Sequence, residues 1–208
     1  MLMMAEPSFK IDIYRRKTLE EFSSLLAEPE SRLDCGSAAS SVAAVSASLL
    51  ARAVKQLSSE QSDDDNASKM DWYVRNTEIL RSYMLNLIDE DVKCRGPLRR
   101  AMKEGDDRRI EASRQAAVSI CLEIVNMMGK CLEMTEGLTP FSESEAFPYV
   151  IESAELAYAA SLAAGNYILG MSRLSPDETY QYVMKRENEL TMQQQKESLT
   201  RVLSAASE

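Results

Sequence analysis

The chain has 208 residues, 45% of them apolar and 27% charged, enough to bury one core as a single domain. A net charge of −9 argues against nucleic acid or an anionic membrane as the main partner, because both need a positive face. No histidine occurs, so any catalysis falls to carboxylates, Lys, Tyr, Ser, Cys or backbone groups.

The opening MLMMAEPSFKIDIYRR is apolar for only a few residues and has neither a basic n-region nor an h-region. No run approaches the ~20 apolar residues of a membrane span. Thr18 and Glu21 form a capping box at the start of a first helix, with Leu19, Phe22, Leu25 and Leu26 on one face and Glu28-Pro29 as its stop. A second helix is expected from about Ser37 to Leu57, followed by a solvated loop, SSEQSDDDNAS. The third helix starts near Ala67 and is broken or kinked at Gly96-Pro97, with a short helical piece beyond. Asp106 caps a fourth helix from Asp107 to about Met134, with Ile110, Ala117, Ile120, Ile124, Met127, Met128 and Cys131 at helical spacing. A fifth spans about Glu145 to Met171. A sixth begins at SPDE, with Ser175 as cap, Pro176 at the first position and Glu178 completing the box.

No strand pattern competes, so the expected fold is all-α: a single-domain bundle of about six helices over residues 1–208, with 1–15 and 192–208 peripheral or frayed. Cys35, Cys94, Cys121 and Cys131 form neither a CxxC pair nor a zinc spacing, and no metal site is expected. Three of the four fall inside predicted helices, where a thiol serves as a small buried hydrophobe. A reduced, cytoplasmic protein follows.

Two features stand out. The second helix carries Ser37, Ser40, Ala44, Ala47 and Ala51 on one stripe, and the fifth carries Ala157, Ala160, Ser161, Ala164 and Gly165. Faces this small let helices approach nearer than usual, so these two pack on each other or on a symmetry mate. Gly36-Ser37 also opens a long helix, where free N–H groups and the helix dipole favour an anion or a carbonyl oxygen, although Ser37 serves equally as a simple cap. On the third helix Leu80, Met84 and Leu87 define the inward stripe, and its next position is Asp91, while Asp89 and Glu90 turn toward water. A carboxylate on that stripe is either paired locally, with Arg95 one turn on, or a pocket carboxylate with an altered pKa.

The order of these features resembles the cyclodeaminase/cyclohydrolase family: the C-terminal half of formiminotransferase-cyclodeaminase and stand-alone methenyltetrahydrofolate cyclohydrolases. The likeness rests on the Gly/Ser-led Ala-rich second helix, LIDED at 87–91, RQAAVSICLEIV, and the Ala-rich fifth helix ending GNYILGMSRL. Where that family has Pro-Gly-Gly-Gly-Ser, this chain has Leu33-Asp34-Cys35-Gly36-Ser37, so only Gly36 and Ser37 match. A family proline on helix four is replaced at Cys121, and VIES has no aspartate in register. The resemblance implies an all-helical homodimer acting on one-carbon derivatives of tetrahydrofolate, with no cofactor beyond the folate substrate. Asp91 is the candidate catalytic carboxylate, stabilising a cationic carbon between two nitrogens and moving a proton. Gly36, Ser37 and Arg95 are the candidate substrate-binding residues, with Arg95, Arg99 and Arg100 available for a glutamyl tail. The rival expectation is a non-catalytic helical dimer that keeps the fold as a binding or assembly module. A cleft beside Gly36-Ser37 favours the enzyme; a filled core favours the module.

Overall fold

The computed structural model describes residues 13–60 and 64–206, the side chains of 64–66 excepted, and contains helices without strands among them. A short 3-10 turn at Tyr14–Arg16 precedes α1 (Leu19–Ala27), α2 (Cys35–Glu60), α3 (Asp64–Glu104), α4 (Asp107–Glu136), α5 (Phe147–Ser172) and α6 (Glu178–Ala205). Helices α2 to α5 form the bundle, with α2–α3, α3–α4, α4–α5 and α2–α5 antiparallel and α2 and α4 parallel in lighter contact, and α6 packs on α4 and α5. All-α architecture is therefore what the chain adopts.

The capping box at Thr18 and Glu21 is present in full. Asp106 caps α4 by accepting from the Arg109 N–H at 3.1 Å, after a turn at Gly105 with φ of +69° that favours glycine.

Three local expectations need correction. The SSEQSDDDNAS stretch is mostly helix: α2 runs on to Glu60 and α3 already starts at Asp64, while residues 61–63 lie outside the described residues. Polar composition does not stop helices whose neighbouring turns are packed, and Leu57 and Met70 are both fully buried. Helix α3 is not broken at Gly96-Pro97 but continues to Glu104. A proline normally forces its predecessor out of the helical region through that residue's Cβ, and Gly96 has none; Leu98 and Ala101 then hold the last turns by burial. The cap of α6 is Asp177, whose carboxylate accepts from the Tyr180 N–H at 3.0 Å. Ser175 instead accepts from the Asp177 N–H and donates to Glu111 Oε1 at 2.8 Å, tying this corner to α4.

At the chain ends, residues 1–12 lie outside the described residues, but Tyr14 is buried against Leu33 and Ile88. Helix α6 holds to Ala205 with Val202 fully buried, so its tail is not frayed; residues 207–208 lie outside the described residues.

The small-residue stripes are buried inside the chain, and α2 packs on α5. Ser37, Ser40, Ala44, Ala47 and Ala51 of α2 are all buried, as are Ala157, Ala160, Ser161, Ala164 and Gly165 of α5. Ser46 donates to the Ser153 carbonyl at 2.8 Å and Ser153 donates back to the Ser46 carbonyl at 2.9 Å. A serine hydroxyl spans only a short gap, so these reciprocal bonds require the two backbones to stand close. All ten stripe residues are buried within one chain, Ser37 against α3 and Gly165 against α6 among them, which leaves no surplus for a symmetry mate. Helix α2 is also long and apolar enough to cross a membrane, with a mean hydropathy of 1.4, contrary to the sequence reading. Its apolar face is covered by α3 and α5, as in a core helix.

Close packing of this kind has a measurable asymmetry. Ala47→Leu, at a fully buried position, is expected to destabilise the chain by about 1–3 kcal/mol. Val45→Ala, two residues away and 52% exposed, is expected to stay within about 0.5 kcal/mol. Urea unfolding midpoints at unchanged slope check both.

Candidate functional site

The site is built where the start of α2 meets the last third of α3. The first N–H groups of a helix have no partner within it, and α2 begins at Cys35. The Cys35 N–H donates to its neighbour Asp34 Oδ1 at 2.7 Å. The next need is met from across the bundle: Asp91 Oδ2 accepts from the Ser37 N–H at 2.9 Å and from the Ser37 hydroxyl at 2.7 Å. The carboxylate thus sits on the positive end of the α2 dipole. The helix start that the sequence offers to a ligand is occupied by the chain's own Asp91.

This seat explains Gly36. A Cβ there would lie 2.6 Å from Asp91 Cγ, so any side chain collides with the carboxylate. Asp91 is on the inward stripe, as the spacing of Leu80, Met84 and Leu87 predicts, and is fully buried. Its second oxygen accepts from Arg95 Nε at 3.0 Å, one turn along α3. Asp89 departs from expectation: instead of facing water, it accepts from the Tyr14 N–H at 2.7 Å and pairs with Arg15, fastening the N-terminal turn to α3.

Arg95 is only 4% exposed, so it does not stand at a mouth to meet a glutamyl tail. Its guanidinium is held between two carboxylates, Asp91 and Asp34, and lies over the Tyr167 ring with Cζ 4.4 Å from the centroid. Burial opposes its charge, but Asp91, Tyr167 and Asp34 outweigh that and hold its pKa above the ordinary arginine value. Two carboxylates against one guanidinium leave the cluster with one formal negative charge. Two donors nearby remain unmatched: Arg95 Nη2 and Tyr167 Oη are buried without a hydrogen-bond partner among the described residues. Arg99 reaches the Ser31 carbonyl and Arg100 is exposed.

The thiols around the cluster are poor nucleophiles. Burial, helped by the negative charge of Asp91, pushes Cys121 up to about 12. Cys35 is exposed at the helix start, yet burial of its sulfur side and the adjacent Asp34 raise its pKa as well. Cys131 is buried as expected, with Ser46 Oγ 3.5 Å from its sulfur, whereas Cys94 is half-buried. No group of three or more Cys, Asp or Glu side chains suited to a metal ion occurs among the described residues.

The structure therefore brings Gly36, Ser37, Asp91 and Arg95 together, and adds Asp34, Tyr167 and Cys121, which the sequence reading did not assign to a site. Asp34 gave no signal of this, because its partner Arg95 lies 61 residues away in sequence. Nothing in the pattern of GNYILG distinguished Tyr167 from a core aromatic.

A model of the formiminotransferase-cyclodeaminase family matches residues 18–198. The chain belongs to that family. Its fold is shared with the crystal structure of formiminotetrahydrofolate cyclodeaminase from Thermotoga maritima. The two superpose with a TM-score of 0.85 at 20% sequence identity, covering 92% of this chain and 96% of the other. No curated protein sequence matches the chain significantly. Family membership accounts for the bundle; within it, Asp34 takes up the charge of Arg95 in a way a glycine cannot.

Glycine-to-alanine substitutions should separate this site from the rest of the fold. Gly170→Ala, with nothing within 4 Å of the added carbon, should stabilise α5 by about 0.5–1 kcal/mol. Gly36→Ala gains the same propensity but forces Asp91 from its seat, and should destabilise by about 2 kcal/mol net. Thermal or urea unfolding of the two variants, showing opposite signs, is the check.

Proposed function

We propose that the chain binds a one-carbon derivative of tetrahydrofolate at the Asp91–Arg95–Tyr167 cluster and carries out cyclohydrolase- or cyclodeaminase-type chemistry there. The observation that carries this reading is a buried carboxylate, seated on a helix N-terminus, beside two buried donors that the protein leaves unmatched. Family membership supplies the substrate class.

The charge fits the chemistry. The methenyl carbon between two nitrogens is cationic, and a cluster of one net negative charge favours it. A carboxylate offers about four acceptor positions, and three on Asp91 are filled, which leaves one on Oδ1 for a proton. In the hydrolytic direction a water oxygen bonds to the cationic carbon as one water proton passes to Asp91. The resulting tetrahedral carbon expels one ring nitrogen, which takes that proton from Asp91. The remaining hydroxyl proton leaves to solvent as the formyl C=O forms. Ring closure from a formimino group uses the same tetrahedral carbon, with ammonia as the group expelled. Each route needs one carboxylate and neither metal nor nucleotide. Asp34, with its side chain 39% exposed, is the member of the cluster that meets solvent, while Arg95 and Asp91 are buried, so a substrate reaches them only if the cluster opens.

A second reading has its own observation. Asp91 is fully buried and already hydrogen-bonded by Ser37 and Arg95, as a structural clamp would be. On that reading the chain keeps the fold as a non-catalytic helical module. A homodimer belongs to either reading, but its interface has to lie away from the small-residue stripes. The α3–α4 groove of about 300 Å³, with Trp72 and Ile79 exposed on its wall, is the apolar face available for it. All four cysteines are free, which suits the reducing, cytoplasmic setting of this proposal.

Calorimetry with 5-formyltetrahydrofolate separates the two readings. Micromolar binding, weakened about tenfold or more by Ser37→Ala and by Asp91→Asn, supports the enzyme reading. Hydrolysis of 5,10-methenyltetrahydrofolate lost in folded Asp91→Asn would extend that support to the chemistry. A folded wild-type chain that binds no folate overturns it and leaves the module.

A further inference from the structure

The folate reading assigns no task to Tyr167, yet its placement is unusual. Its ring lies on the Arg95 guanidinium, and Arg95 Nε is bonded to Asp91, so the phenol and the candidate catalytic carboxylate share one guanidinium as neighbour. Tyr167 Oη and Arg95 Nη2 are both buried and without a hydrogen-bond partner among the described residues. Two unsatisfied buried donors on residues in contact are costly to keep, and cores normally remove them by substitution: a phenylalanine would fill the same space as Tyr167. Keeping the hydroxyl is explained if something accepts from it during turnover.

Resting on the folate reading, we propose that Tyr167 Oη, together with Arg95 Nη2, is the donor pair that holds the oxygen of the one-carbon group. The location decides which ligand atom is held. The reacting carbon must stand beside Asp91 for a proton to pass between them, and Arg95, bonded to that carboxylate and covered by the Tyr167 ring, links both donors to the same place. The oxygen that bonds to this carbon becomes the tetrahedral hydroxyl and then the formyl carbonyl, and it gains acceptor strength along that path. A neutral phenol and a guanidinium are suited to it, because both donate a hydrogen bond without taking up the proton that Asp91 moves. Burial pushes the Tyr167 phenol up to about 12, with Arg95 acting against it, so the group remains a donor throughout the neutral range. Tyr167 is thereby a residue that distinguishes formyl from methyl folates.

The test uses the full chain and two probes, 5-formyltetrahydrofolate and 5-methyltetrahydrofolate, which differ in the presence of that oxygen. Wild type is expected to bind the formyl compound at least tenfold more tightly than the methyl compound. Tyr167→Phe keeps the ring over Arg95 and is expected to lose about tenfold affinity for the formyl compound alone, erasing most of the preference. The unliganded Tyr167→Phe chain should melt no lower than wild type, since it gives up a hydroxyl that the free protein leaves unpaired. A substantially lower melting temperature would show a structural partner for Oη and overturn the proposal. So would unchanged formyl affinity in Tyr167→Phe, or equal loss for both probes. A wild type that binds neither probe overturns the folate reading itself, whereas binding without a formyl preference overturns the role of Tyr167 alone.

Discussion

A carboxylate with no access to water needs partners, and the arrangement at Asp91 shows what that demand does to a helical bundle. Its partners come from the start of α2 and from its own helix: the Ser37 N–H and hydroxyl on one oxygen, Arg95 on the other. Burying Arg95 then creates a second demand, met by Asp34 and by the face of Tyr167. Three stretches of the chain, the start of α2, α3 and α5, are thus bound to one charge cluster. Gly36 follows from it, because the carboxylate occupies the volume of a Cβ.

The rest of the bundle is arranged so that this cluster can close. Helices α2 and α5 pack through Ala and Ser and exchange the bonds between Ser46 and Ser153. That close approach brings Tyr167, fourteen residues along α5 from Ser153, to the same end of the bundle as Asp34 and Arg95. Larger side chains on the stripe would part the two helices and strand a guanidinium in an apolar gap. The small residues and the buried charges are therefore two sides of one constraint: the first sets the distance that the second requires.

Much of this was legible in the sequence because it is local or periodic. The Thr18 capping box, the stripe Leu80–Met84–Leu87 with Asp91 next in register, and the matched Ala/Ser faces of α2 and α5 all follow from spacing within one helix. What escaped depends on contacts across the chain. Asp89 looks solvated beside Glu90 until the backbone of Tyr14, 75 residues away, arrives to use it. Asp34 reads only as a departure from the family's glycine run, until Arg95 is found against it. Gly96-Pro97 reads as a break because the proline is the stronger local signal, although the missing Cβ of Gly96 lets the helix pass. The Gly36-Ser37 start reads as open to a ligand, whereas a side chain of the same molecule, Asp91, occupies it.

Asp91 holds the start of α2, and hydrogen exchange at the Ser37 amide tests this without any substitution. First-turn amides of a helix ordinarily exchange fast, since they lack a partner within it. If Asp91 Oδ2 accepts from this amide in a buried site, Ser37 should be protected to the same degree as Ala43 and Ala47 in the middle of α2. Exchange of Ser37 orders of magnitude faster than those two would contradict the account, leaving the cluster without its anchor.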